Sequence, residues 1–237
     1  QIGSMTTLSN FAGNFSSVGG AVYDGGQNDR AYGIAVDTTS QSVYVVGQVS
    51  SSGAGYDWLI LKYDPAGVVI SSRVFDAGND SATNDPLSGR NERPSAAVVD
   101  PRTGNVYVVG SYPAPNNYGG WLTLKYSSNL VLLASATFSN GQFGQDIAHG
   151  AAVDALGNVF VTGFLWSTPL NKMRCQTFKY GENLALLNQV VFDPSDSTDK
   201  YGNGIAIDRN SGIVYVSAHG YQSNNAYLVK YDNVLNL

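Results

Sequence analysis

The stretch YGIAVDTTSQSVYVVG, residues 32–47, decides the fold because the chain contains it in four versions. It consists of two apolar runs around a polar turn. The other versions are SAAVVDPRTGNVYVVG (95–110), HGAAVDALGNVFVTG (149–163) and NGIAIDRNSGIVYVSA (203–218). The runs show no clean alternation of apolar and polar residues, which is typical of strands buried on both faces. A repeat at a nearly fixed period predicts a repeat architecture.

Two more elements follow in each of these units. The third element is WLILKYD (58–64), WLTLKYS (121–127), CQTFKYG (175–181) and AYLVKYD (226–232), and the fourth is RVFD (73–76), ATFS (136–139) and VVFD (190–193). We therefore predict four antiparallel strands per unit, A to D. The inner strands are apolar and the outer strand D is more polar, as in a propeller blade.

The fourth unit stops before its D strand, and a matching segment lies near the start of the chain. GGAVYDGG (19–26) places Tyr23 at the position of Phe75, one repeat period earlier. The sequence therefore predicts an all-β fold: a β-propeller with four blades of four antiparallel strands, whose last blade is closed by the N-terminal strand. Such a strand would also cover an edge that is open to aggregation.

This interpretation divides the chain into one domain, residues 1–237. Its parts are an N-terminal arm (1–17), the closing outer strand (18–26) and blades at 30–76, 92–139, 147–193 and 201–237.

The pattern GIAVD…VYVVG…LKYD, present in four copies between about residues 30 and 232, resembles the seven-bladed β-propeller repeat (SBBP) family. The resemblance implies antiparallel blades and an extracellular or cell-surface protein without an assigned reaction. The chain has four copies where the family has seven. It is therefore either a ring of four blades or part of a longer array, and the displaced D strand favours the ring.

Composition excludes several classes of function. The net charge is −5 and no basic run occurs, which argues against nucleic-acid binding. No stretch approaches the roughly 20 apolar residues of a membrane-spanning helix, so we expect no membrane insertion. Cys175 is the single cysteine, so neither an intrachain disulfide nor a thiolate metal cluster can form, and we interpret it as a packing residue.

The low charge and the abundance of Asn, Ser, Tyr and Gly favour an extracellular or cell-surface location. Two sequons, at Asn14 and Asn79, are candidate glycosylation sites.

The repeated charged residues are interpreted as structural. An aspartate ends each A strand, where it can accept hydrogen bonds from turn amides, and a lysine recurs on each C strand. We predict contacts between these aspartates and lysines, within or between blades. The residues are Asp37, Asp100, Asp154 and Asp208, and Lys62, Lys125, Lys179 and Lys230.

Function is expected in the B–C and D–A loops, which share one end of a propeller and vary most between the repeats. Their aromatic and amide side chains suit sugar rings and hydroxyl groups. The candidate ligand-binding residues are Tyr56, Tyr118, Trp166, Tyr201, Tyr221, Asn117 and Asn224. The expected partner is a protein or a glycan, including a second copy of the chain.

Catalytic motifs are missing, so we predict that the chain is not an enzyme and needs no cofactor or metal. His149 and His219 are its only histidines, and both are expected at the loop-rich end. A pair of carboxylates from different blades would leave no local motif, and the Asp-rich segment 193–199 is a weaker calcium candidate.

The predicted function is therefore a non-enzymatic interaction or structural module. The alternatives are a carbohydrate-binding lectin and a protomer of an extracellular fibre formed by exchange of the N-terminal strand.

Overall fold

The structure is a computed structural model that describes residues 20–25, 28–50, 56–76, 93–114, 118–141, 146–194 and 198–237. These residues form an all-β, propeller-like fold of fifteen antiparallel strands in four sheets, with no helix among them. No part of this described chain forms a helix that could span a membrane. The sequons at Asn14 and Asn79 lie outside the described residues.

Each sheet is one blade, and its strands follow one another in chain order. Blade 1 contains β1 (Arg30–Val36), β2 (Val43–Ser50), β3 (Tyr56–Tyr63) and β4 (Val69–Phe75). Blade 2 contains β5 (Arg93–Val99), β6 (Val106–Ala114), β7 (Tyr118–Tyr126) and β8 (Leu132–Phe138). Blade 3 contains β9 (Ile147–Val153), β10 (Val159–Ser167), β11 (Lys172–Tyr180) and β12 (Leu186–Phe192). Blade 4 contains β13 (Asp199–Ile207), β14 (Val214–Tyr221) and β15 (Ala226–Tyr231).

The blades pack in series, each on the next. The first strands β1, β5, β9 and β13 contact their counterparts in neighbouring blades and are therefore the inner strands. An apolar cluster fills each interface between blades. At the first interface, Tyr44 and Trp58 of blade 1 pack on Leu124 and Tyr126 of blade 2. Burying side chains of this size contributes about 1.5–3 kcal/mol each, which explains why the middle strands are apolar on both faces.

The remaining interfaces repeat this arrangement. Trp121 packs on Phe178 between blades 2 and 3, and Phe160 and Cys175 pack on blade 4. Burial raises the pKa of the Cys175 thiol to about 12, which keeps this sulfur in its unreactive form.

The repeated aspartates hold the turns between strands A and B. Asp37 accepts hydrogen bonds from the Thr39 amide and the Ser40 hydroxyl, and Asp208 does the same with Asn210 and Ser211. Asp154 accepts from the amides of residues 156 and 158. A carboxylate in this place satisfies turn amides that no strand partner can reach.

Three of the four repeated lysines join their blade to the next one. Lys62 Nζ donates to the Ser128 carbonyl at 2.8 Å, and Lys125 Nζ donates to the Glu182 carbonyl at 3.0 Å. Lys179 Nζ donates to the Asn233 carbonyl at 2.5 Å. Each acceptor is the second residue after strand C in the following blade, which is the C–D turn in blades 2 and 3. We call this contact the lysine clamp.

An aromatic ring completes each lysine clamp. Lys62 Nζ lies 5.7 Å from the ring centre of Tyr44, and the Tyr44 hydroxyl donates to the same Ser128 carbonyl. Lys125 and Tyr107 repeat this geometry. The ring faces attract the ammonium groups and replace part of the water they lose on burial.

The predicted contact between these lysines and the repeated aspartates is wrong as a direct ion pair, although the charge of Lys62 acts on Asp37 within blade 1. The salt bridges of the described residues include no pair between the two sets; Asp100 pairs with Arg102, and Lys125 pairs with Glu182. The lysines lie on strand C and point to the next blade, whereas the aspartates face their own turns.

The closing strand predicted for residues 18–26 is not confirmed. Within the described chain, residues 20–25 contain no strand, and the fourth sheet consists of β13, β14 and β15 only. Tyr23 packs instead against Leu59, Leu61 and Tyr63 of blade 1. The described strands of blades 1 and 4 make no extensive contact, so ring closure within the chain is not seen.

Replacing Lys125 by Met tests the lysine clamp. The substitution keeps the apolar stem but removes the ammonium group, so the Glu182 carbonyl loses its charged donor. We expect the free energy of unfolding in urea to fall by about 1–3 kcal/mol. The matched control is Lys230→Met in dilute protein, because Lys230 is exposed and makes no clamp contact among the described residues; it should change stability by less than about 0.5 kcal/mol. Equal losses in both variants would contradict the clamp.

Candidate functional site

A β-bulge interrupts the inner strand of every blade at the same repeat position. The pairing with strand B skips one residue between Ala31 and Gly33, and the other three inner strands skip one at the equivalent place. The four bulged residues, which we call the bulge ring, are Tyr32, Ser95, His149 and Asn203. A bulge re-aims a side chain at the edge of a sheet and is frequent beside functional sites.

Small residues on strand B make room for these bulges. A Cβ atom added to Gly110 would lie 2.1 Å from the Arg93 carbonyl oxygen, and Gly47 and Gly163 are equally tight. In blade 4 the equivalent residue is Ala218, and there the facing inner-strand residue is Gly202. The close approach therefore needs a glycine on one of the two strands.

His149 of the bulge ring connects blades 3 and 4. Its Nδ1 lies 3.0 Å from the Gly202 carbonyl oxygen, which can only accept, so Nδ1 carries a hydrogen. The ring packs edge-on against Phe164. Burial lowers the pKa of His149, and the nearby charge of Arg93 lowers it further. His149 is therefore neutral near pH 7, with Nε2 as a hydrogen-bond acceptor.

His219, on strand β14, lies beside Asn203 of the bulge ring. Asn203 Nδ2 is 2.8 Å from His219 Nδ1, and the imidazole stacks on Tyr201 with ring centres 5.1 Å apart and planes 16° apart. Tyr221 meets Tyr201 edge-on at 6.3 Å. Two tyrosine rings, an imidazole and an amide are thus collected at one end of blade 4.

Arginine side chains flank the other half of the bulge ring. Arg93 lies over the Tyr32 ring at 5.0 Å, and the Tyr32 hydroxyl donates to Gln48 Oε1 at 2.6 Å. Arg30 lies over Tyr56 at 6.0 Å. The cationic groups Arg30 and Arg93 therefore accompany two histidines in a chain whose net charge is −5.

The Ser95 hydroxyl is the one member of the bulge ring whose oxygen has no hydrogen-bond partner among the described residues, although the atom is buried. Buried polar atoms without partners are uncommon in folded proteins and call for an explanation. A ligand that occupies the ring would supply the missing partner.

Two carboxylates that directly precede inner strands accept hydrogen bonds from backbone amides. Asp146, directly before β9, accepts a hydrogen bond from the Trp166 amide at 2.9 Å. Burial raises its pKa to about 6, despite hydrogen bonds from backbone amides that lower it. Asp29, directly before β1, accepts from the Gly25 amide. The part of the chain that the structure describes contains no group of three or more His, Cys, Asp or Glu side chains that could hold a metal ion.

The structure gathers only some of the predicted ligand-binding residues around the bulge ring. Tyr56, Tyr201 and Tyr221 lie beside it through the contacts given above. Asn224 lines a cavity with His219 and Tyr221, and Trp166 lines another cavity between blades 2 and 3. Asn117 and the side chain of Tyr118 lie outside the described residues.

Sequence reasoning missed Arg93, Ser95 and Asn203. A signal was present, because the residue before each GIAVD-type strand changes its chemical character from copy to copy, as Tyr, Ser, His or Asn, whereas the strand after it stays apolar. The bulge that turns these positions into a ring follows from strand pairing and leaves no separate mark in the sequence.

No protein-family model matches the chain, and no curated protein matches it. Solved structures with a similar fold include a protein from Lactobacillus plantarum, with 12% identity and a TM-score of 0.40, over 84% of this chain and 70% of that one. Another is the periplasmic gluconolactonase of Pseudomonas aeruginosa, with 9% identity and a TM-score of 0.38, over 85% of this chain and 72% of that one.

An enzyme among these similar structures overturns the prediction that the chain is not an enzyme. Identities this low nevertheless transfer neither a substrate nor a catalytic residue to this protein.

Replacing Gly110 by Ala tests the bulge. The new Cβ atom would collide with the Arg93 carbonyl and displace the start of β5, so we expect a loss of about 1–3 kcal/mol in the free energy of unfolding. Gly181→Ala is the control, because its Cβ atom would be 3.7 Å from the nearest heavy atom. Equal stability of the two variants would show that the bulge does not need the glycine.

Replacing Asp146 by Asn tests its burial. Its pKa in the folded protein is above the ordinary 3.8, so folding favours the protonated form. Stability should therefore fall by about 1–3 kcal/mol as the pH rises from 4 through 6, and Asp146→Asn should abolish this fall. Asp208→Asn is the control: hydrogen bonds from Ser211 and Asn210 lower the pKa of Asp208, so its contribution is lost as the pH falls. An unchanged pH profile for Asp146→Asn would contradict the assignment.

Proposed function

We propose that this protein binds an acidic carbohydrate at the bulge ring. The observation that carries the proposal is Arg93, which lies over Tyr32 and close enough to His149 to lower its pKa. A guanidinium group in this position suits a carboxylate, to which it can donate two parallel hydrogen bonds.

The sugar ring would pack against the aromatic side chains of blade 4. Tyr221 is 61% exposed and stands edge-on to the Tyr201–His219 stack, so an aromatic surface is open to a ligand. The C–H groups of a pyranose pack on such faces without losing the hydrogen bonds of the ring hydroxyls. Few polar groups around an aromatic surface are typical of a site for a small molecule.

Neutral polar groups would fix the hydroxyls. The Ser95 hydroxyl lacks a partner, and His149 offers Nε2 as an acceptor. A hydrogen-bond donor and a hydrogen-bond acceptor are therefore both present beside the cationic groups. An uncharged sugar would leave Arg93 without an anion, which is why the proposal specifies an acidic one.

An extracellular or cell-surface location fits this function. It is supported by the low charge of the chain and by the resemblance of its repeats to the SBBP family, of which we propose it to be a member. Polysaccharides that contain uronic acids are a ligand class available in that location.

The experiment is calorimetric titration with oligomers of galacturonic acid and with their methyl esters, which have the same sugar backbone without the charge. We expect the acid to bind at least tenfold more tightly than the ester. Arg93→Gln should weaken binding of the acid at least tenfold, and Tyr221→Ala should weaken both ligands.

The control variant is Arg102→Gln. Arg102 belongs to the same blade but follows the opposite end of β5, where it pairs with Asp100. It should bind the acid as the unchanged protein does. Equal binding of acid and ester, or an Arg93→Gln variant with full affinity, would contradict the proposed function.

A further inference from the structure

The two end blades present complementary halves of an interface that occurs three times inside the molecule. Each internal interface needs a lysine and an aromatic residue from one blade, and a C–D turn carbonyl from the next. Blade 4 offers Lys230 and Tyr215 at the lysine and aromatic positions. Blade 1 offers Pro65, which occupies the turn position of Ser128, Glu182 and Asn233.

These terminal groups are open to solvent. Lys230 and Pro65 are exposed, and no described residue makes a hydrogen bond or ion pair with the Lys230 ammonium. The apolar residue beside Lys230, Leu228, is 75% exposed, whereas the equivalent Ile60 of blade 1 is fully buried. On blade 1, Ile34 is 67% exposed next to an apolar cavity of about 500 Å³. Both ends therefore leave apolar surface uncovered.

The segment of residues 20–25 occupies the place of an outer strand that belongs to a preceding blade. Tyr23 packs against the apolar cluster of blade 1. In the same way, Phe75 packs against the cluster between blades 1 and 2, and Phe192 packs against the cluster between blades 3 and 4. Blade 4 in turn has no outer strand among the described residues, and β15 pairs on one side only. An unpaired edge of this kind is a template for a further strand.

We propose that a second copy of this chain completes blade 4. Its residues 20–25 add as the outer strand beside β15, and its blade 1 packs on the exposed face of blade 4. The new interface continues the series of three internal ones, so Lys230 and Tyr215 meet the partner's turn at the position of Pro65. An interface of this type is heterologous, because two different surfaces of the same chain meet. The rotation that relates one copy to the next determines whether the copies form a closed ring or an open filament.

The repeats also fix the register of the added strand. Trp58 pairs with Phe75 and Cys175 pairs with Phe192, so Ala226 should pair with Tyr23 of the second copy. By the same rule, Ile60 pairs with Arg73, which places Leu228 opposite Ala21. The assembly therefore predicts a specific neighbour for each residue of β15.

Sedimentation over a range of protein concentrations tests the association. We expect particles of at least two copies, and at least tenfold weaker association for Leu228→Asp and for Lys230→Met. Leu187→Asp is the matched control, since Leu187 is also exposed but lies on the outer strand β12, away from the end faces; it should associate normally. A protein that stays monomeric at every concentration, or equal association of the Leu228 and Leu187 variants, would overturn the proposal.

Disulfide trapping separates a second copy from closure within one chain. Ala21→Cys and Leu228→Cys are made as two single variants, mixed and oxidised. A cross-linked band of two chains supports the proposal, and the same mixture with Leu187→Cys in place of Leu228→Cys should give none. If the double variant Ala21→Cys/Leu228→Cys cross-links only within single chains, the strand comes from its own molecule and the proposal is wrong.

Discussion

The hydrogen bond from a buried lysine to a carbonyl of the following blade is the contact on which the arrangement of the blades depends. An ammonium group loses much of its hydration on burial and is costly unless a polar group replaces the lost water. The carbonyl and the aromatic ring face replace it together. Since the carbonyl lies in a tight C–D turn, the clamp fixes the distance and direction of the next blade, and the apolar clusters can then fill the space between them.

Regular stacking of the blades gives the inner strands their common alignment, and this alignment creates the bulge ring. Each bulge side chain is set by its own blade, and Tyr32, Ser95, His149 and Asn203 occupy the same position in their blades because all four inner strands pair with strand B in the same way. The scaffold residues repeat and the ring residues differ, so binding specificity can change without cost to packing. The same regularity makes blade 4 recognisable as a repeat unit whose sheet has three strands among the described residues.

Much of the fold could be predicted from the repeats. Strand order, the apolar inner strands and the aspartate-held turns all depend on local pattern and turn chemistry. The partner of Lys125 could not be predicted, because Glu182 is 57 residues away along the chain and the direction of the side chain depends on sheet twist. Tyr23 was recognised as an outer-strand residue, but the sequence assigned it to the fourth blade, whereas it packs against the first.

The sequence by itself determined the four units, their strands and their turns, because hydrophobic periodicity and turn residues act over a few residues at a time. Tertiary structure alone decided which blade each of these lysines joins, where the bulges aim their side chains and that Tyr23 packs against blade 1. These features depend on twist and on packing between segments that are some fifty residues apart, and local sequence patterns carry no direct record of such distances.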